Sequence, residues 1–181
     1  DFEGLETQAA RPDVRMLFLC NPHNPVGRVW TAAELRRLAG ICWRNDVLVV
    51  SDEIHADITF PGHPYTPFAS LDDAAAQNSI TCISPAKSFN IAACCSSFSV
   101  IANSAYREAF QAENSRLTVN KNNAFASAAM LAAYRDGGDW LEAARDYIFG
   151  NLTLVRDRLA MLPGAGLIEP EGTFLVWLDF R

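Results

Sequence analysis

Lysine is nearly missing from this chain. Of its 15 basic residues only Lys87 and Lys121 are lysines, and all the others are arginines. No apolar run approaches the roughly 20 residues that would span a bilayer, so a membrane role is not expected. There is no CxxC pair among the five cysteines (20, 42, 82, 94, 95), and the three histidines (23, 55, 63) have no zinc-ligand spacing. Neither a disulfide scaffold nor a metal site is therefore expected, and reduced, buried thiols suit a cytoplasmic protein. Excess positive charge is absent as well. The net charge is −6, the pI is near 5.0 and the arginines are dispersed, which speaks against nucleic acid and anionic lipid as partners. Repeats and low-complexity tracts are missing. The opening DFEGLETQAARPD is too polar and acidic for a signal or transit peptide.

What remains is globular composition, half hydrophobic and a fifth charged. MLFLC (16–20) is a short apolar run halted by Asn-Pro, which predicts a buried strand. The loop NPHNPVG follows, with two prolines that forbid helix and Gly27 free to take an unusual backbone angle. Thr31 and Glu34 form a capping-box signature, and Leu35, Leu38, Ile41 and Cys42 then recur at helical spacing. VLVVSDE (47–53) suits a strand covered on both faces. SITCIS (79–84) and SSFSVIA (96–102) predict two more strands. From Ser104 the pattern turns helical over 104–117, 123–136 and 139–162, the last ended by Pro163-Gly164. GTFLVWLDF (172–180) returns to strand. The end stops inside that run and the start gives no clean domain beginning, so the chain is expected to be an excerpt of something longer.

Strands alternating with helices through short connections predict an α/β fold, three layers around a mainly parallel sheet. Such sheets bind ligands beyond the carboxyl ends of their strands. Asn21–Asn24, Asp52–His55 and Ser84–Lys87 all follow strand ends, so three polar clusters should share one rim.

Lys87 stands in TCISPAKSFNIAACC, a segment otherwise almost uncharged. Burial among apolar neighbours would disfavour its charged form and free a nucleophilic amine, the group that condenses with carbonyls. The ordinary alternative is a solvated surface lysine. Asp52 either caps the next turn or holds a proton on a basic partner. Asn24 would by default close a turn, and Ser84 would be a turn or cap residue. Taken together, an amine for an aldehyde, a carboxylate for a ring nitrogen and an amide for a ring hydroxyl suit pyridoxal phosphate, with Ser84 and backbone N–H groups for its phosphate.

The ordered motifs NPHNPVG, SDEIH and SPAKSFN resemble the fold-type I pyridoxal-phosphate enzymes of the aminotransferase class I/II superfamily. CNPHNPVGRVW, DEIHADI and EGTFLVWLDFR look like its MalY/PatB-like branch of cystathionine β-lyases (C–S lyases). The resemblance runs from about residue 14 to 181. It implies that Lys87 is the Schiff-base lysine, Asp52 the partner of the pyridine nitrogen and Asn24 the partner of the ring hydroxyl, with Ser84 on the phosphate. His55 falls where many aminotransferases carry a tyrosine that reaches the hydroxyl; either that contact or a merely packed ring fits. Two departures stand out. Cys95 occupies the place of a common phosphate-gripping arginine, and Ala92-Ala93-Cys94 replaces the branch's frequent Ala-Gly-Leu. The resemblance further implies residues 1–149 as part of the large cofactor-binding domain and 150–181 as the start of a small α+β domain. An amino-acid substrate and a homodimer are implied too. The expected function is a C–S lyase, with aminotransferase and inactive fragment or regulatory domain as alternatives.

Overall fold

The computed structural model describes residues 1–119, 121 and 123–181. Four strands form the main sheet: β1 (Met16–Cys20), β2 (Leu48–Asp52), β3 (Ser79–Ile83) and β4 (Phe98–Val100), in that spatial order. The pairs β1–β2 and β2–β3 are parallel, whereas β3–β4 is antiparallel. The α/β expectation is met: a mixed, mostly parallel sheet with helices. Because β1, β2 and β3 run the same way, Cys20, Asp52 and Ile83 end at one edge. In register, Asp52 lies between Cys20 and Cys82.

Helix α1 (Phe2–Ala9) was not foreseen in the polar opening; Asp1 caps it through Gly4 N–H at 2.8 Å. Helix α2 (Ala32–Arg44) begins as its capping box requires, with Thr31 and Glu34 each bonding the other's backbone N–H. Its residues Leu35, Leu38, Ile41 and Cys42 are all buried, against Leu19, Val47, Val49 and Phe68. A further short helix, α3 (Asp73–Gln77), leads into β3. Between β3 and β4 lies α4 (Pro85–Ser88), a single turn that the sequence reading left unassigned.

The second half is largely helical, with α5 (Ser104–Arg116), α6 (Ala124–Asp136) and α7 (Gly138–Leu159). The division expected near residue 150 falls within the continuous α7. Beyond it, β5 (Gly166–Ile168) and β6 (Trp177–Asp179) form an antiparallel pair. The long strand expected over 172–180 is therefore shorter, because residues 171–173 bond sideways. Glu171 and Gly172 N–H both donate to Gly27 O (2.8 and 2.9 Å), and Thr173 N–H donates to Ile58 O at 2.7 Å. Likewise the strand expected over 96–102 shrinks to its central residues. Large apolar side chains stay exposed on α6 and α7, including Phe125 at 83% and Tyr147 at 73%. Among the described residues no helix is long and apolar enough to cross a membrane.

Candidate active site

The loop after β1 is fastened at several points. Asn21 is fully buried; its side chain accepts from Trp30 N–H (3.1 Å) and donates to Thr66 O (3.3 Å). Trp30 Nε1 donates to Cys20 O at 3.1 Å. From the far end of the chain, Glu171 Oε2 accepts from Val29 N–H at 2.7 Å. Gly27 takes φ +80°, and a Cβ there would meet Pro170 Cβ at 2.6 Å. These bonds leave Asn24 at an exposed turn, its N–H donating to Cys20 Sγ at 3.4 Å.

Asp52 closes the central strand. One carboxylate oxygen accepts from Ile54 N–H at 3.2 Å, so the turn-capping alternative is realised, and the other has no partner among the described residues. The thiols on either side, Cys20 and Cys82, are raised above their ordinary pKa by burial, so both flank the carboxylate as neutral groups. Next in sequence is Glu53, completely buried, which accepts from Ser51 Oγ (2.7 Å), Phe68 N–H (2.9 Å) and the Tyr65 hydroxyl. Burial raises its pKa despite these donors.

His55 is 1% exposed and packs edge-on against Phe174, with ring centroids 5.3 Å apart. Neither ring nitrogen has a hydrogen-bond partner among the described residues. Burial holds the imidazole below its ordinary pKa; the Asp52 carboxylate opposes that shift and the Lys87 ammonium adds to it. His55 thus feels the charges of both Asp52 and Lys87.

Ser84 caps α4. Its Oγ accepts from Ala86 N–H (3.1 Å) and donates to Ser96 O (2.6 Å), which is the cap alternative. Pro85 occupies the first turn, where its missing N–H costs nothing. Pro85 and Ser88, one helical turn apart, take the buried side, and Ser88 Oγ donates to Asp57 at 2.6 Å. Lys87 falls off that side and is exposed. The expectation of an amine sunk among apolar neighbours is corrected by this spacing: the segment is buried through other residues. Lys87 opens on a cavity of about 340 Å³ whose lining includes Ala86, Asn90, Trp140 and Phe174 but neither Asp52 nor Asn24.

After α4 the chain makes a tight turn at Ala92–Cys94, and Cys95 follows in the left-handed region at φ +50°. The turn therefore forms without a glycine. Ser96 was missed by the sequence reading. Its Oγ is buried without a partner among the described residues, beside the Ser84 cap. It lies 12 residues from Ser84 and meets it only through the antiparallel pairing of β3 and β4, so the sequence carried no signal for it.

At this edge stand an exposed amine, a carboxylate with one oxygen engaged, and a buried imidazole and a buried hydroxyl without partners among the described residues, although the cavity at Lys87 is lined by none of the other three. The model of the family described as aminotransferase class I and II matches residues 1–181. The chain belongs to the aminotransferase class I and II family. Among curated relatives, cystathionine beta-lyase PatB of Bacillus subtilis (strain 168) is 44% identical over 181 residues, covering 99% of this chain and 47% of that protein. Cystalysin from Treponema denticola, whose crystal structure contains pyridoxal 5'-phosphate, superposes with a TM-score of 0.94 at 36% identity, over 100% of this chain and 46% of its own. The PLP-bound C–S lyase from Staphylococcus hominis gives 0.91 at 34%, over 99% and 45%. The chain of this family thus spans about half the length of the relatives it matches.

Proposed function

We propose that this chain is the cofactor-holding portion of a pyridoxal-phosphate-dependent C–S lyase that cleaves amino acids bearing sulfur on the β-carbon. The observation that carries the reading is His55: a buried imidazole with no partner at either nitrogen among the described residues, and one that feels the charges of both Asp52 and Lys87. Leaving such a group without a partner costs free energy unless a ligand supplies one. The residues fit the cofactor on this count, and Ser96 Oγ is a second buried polar atom awaiting a partner.

Lys87 would hold the cofactor covalently, Asp52 would face its ring nitrogen through the free carboxylate oxygen, and Asn24 and His55 would serve its hydroxyl. Ser96 and Ser84 would take the phosphate; the Ser84 proton must turn away from Ser96 O to do so. Bound there, pyridoxal phosphate supplies an aldehyde and an electron-accepting ring. Lys87, as a primary amine, would take the substrate's α-proton. Asp52 would keep the ring nitrogen protonated. With thiolate leaving the β-carbon and taking up a proton, and one water hydrolysing the remaining three-carbon fragment, the products would be a thiol, pyruvate and ammonia.

Support for the lyase outcome comes from the 44% identity to PatB and from the two structural neighbours named for cystalysin and C–S lyase. The exposed apolar side chains of α6 and α7 support burial in a larger assembly, a cytoplasmic homodimer on this reading. The division near residue 150 belongs to the same proposal.

The purified full chain with added pyridoxal phosphate should develop a yellow absorption band that borohydride removes. Lys87→Ala should stay colourless. Cystathionine should then yield thiol and pyruvate with no amino acceptor present. Strict dependence on a keto-acid acceptor would replace the lyase with an aminotransferase, and a yellow Lys87→Ala would overturn the site.

A further inference from the structure

The arginines of this chain are mostly accounted for. Arg11, Arg15, Arg28, Arg44, Arg116, Arg135, Arg156 and Arg181 pair with carboxylates. Arg107 donates to backbone carbonyls and Arg37 stacks over Phe2. Three others, Arg36, Arg145 and Arg158, have no partner among the described residues. Arg36 and Arg158 are exposed, whereas Arg145 is half-buried.

Its place on α7 is unusual. Leu141, Ala144, Arg145 and Ile148 follow the spacing i, i+3, i+4, i+7, the apolar stripe of an amphipathic helix. All four line the cavity of about 340 Å³ onto which Lys87 opens. A guanidinium therefore stands where the pattern asks for an aliphatic residue. It cannot shed its proton in a protein, so the cavity carries a fixed positive charge in addition to Lys87. A partly desolvated cation without a counter-charge is unfavourable, and a bound anion would offset that cost.

We propose that Arg145 is a specificity-determining residue that receives a remote carboxylate of the substrate, so that the site favours sulfur amino acids whose leaving portion is itself anionic. The inference rests on the reading of Lys87 as the reactive amine. Cavity volume falls in the range of small-molecule sites. Apart from Lys87, Arg145 and the uncharged Ser88 and Asn90 the lining is apolar, with Trp140, Ile148 and Phe174 among it, which suits the carbon and sulfur atoms separating the reacting centre from a distant carboxylate. A guanidinium matches a carboxylate with two parallel hydrogen bonds. Ser84 and Ser96, the hydroxyls assigned to the phosphate, do not line this cavity, so the anion Arg145 meets belongs to the substrate and not to the cofactor.

The test compares β-elimination from cystathionine, which has a second carboxylate, and from S-methylcysteine, which has none, in the full chain. Arg145→Gln should lower kcat/KM for cystathionine about 10- to 100-fold, mainly through KM. The loss should be at least about tenfold greater than for S-methylcysteine, and Arg145→Lys should recover part of it. Equal losses on both substrates would overturn the proposal in favour of an α-carboxylate contact. So would a matching loss of cofactor affinity by absorbance titration, which would move Arg145 to the phosphate, and so would the absence of any loss. If Arg145→Gln discriminates nothing while the parent still releases thiol, the lyase reading stands and Arg145 alone is refuted. No thiol from either substrate with the parent would sink both.

Discussion

Replacing Gly27 with alanine should destabilise the fold through two separable effects. At φ +80° a side chain forces a left-handed backbone, a cost of about 1–2 kcal/mol. The added Cβ would also stand 2.6 Å from Pro170 Cβ and 2.9 Å from Gly172 O, so the 170–172 segment must shift. Those atoms are not free to yield, because Glu171 and Gly172 N–H both donate to Gly27 O. Forcing atoms into packed structure costs ~1–3 kcal/mol. The total for Gly27→Ala is about 2–5 kcal/mol. Gly62 supplies the control: it has φ +90° with nothing within 4 Å of the added Cβ. Gly62→Ala should therefore show the backbone cost alone. Denaturant unfolding of the full chain and both variants, at unchanged slope, measures the difference. Losses that agree within about 0.5 kcal/mol would refute the claim that Pro170–Gly172 grips the loop.

Leu35→Ala should lower stability by about 2–5 kcal/mol in the same assay, since Leu35 is completely buried in the α2–sheet core. Glu53→Gln should change the pH dependence. Burial raises the folded pKa of Glu53 above its ordinary 4.5, so its contribution is fully present below 4.5 and lost as pH rises through the raised folded value. Subtracting the variant's stability from the parent's at successive pH values above 4.5 should give a falling difference; a flat one would contradict the assignment.

Much of this architecture could be read before any coordinates. Continuous apolar runs gave away β1 and β2, because strands covered on both faces need them, and the Thr31–Glu34 box marked where α2 starts. The rim followed from parallel strands ending together. Other parts hid for physical reasons. The turn α4 has only four residues, too few for helical periodicity to show. The 172–180 run is apolar like a covered strand, yet its first residues bond to Gly27 and Ile58, a choice only distant partners decide. Lys87 looked buried because its neighbours are; a turn of helix sends Pro85 and Ser88 inward and leaves the amine outside. Glu53 and Arg145 were overlooked since charged residues in strands and helices ordinarily face water. Their partners, or lack of them, appear only when Tyr65, Phe68 and the face of α7 are placed in space.

The bond from Val29 N–H to Glu171 spans 142 residues of sequence. During synthesis, the asparagine-proline loop therefore leaves the ribosome long before the segment that clasps it exists. Contacts of such long range form late and slow the search for the native state. Until residues 170–173 arrive, the emerging polypeptide can assemble α2 and its strands but holds that loop without its latch. The loop should thus take its final shape only once residues 170–173 have emerged.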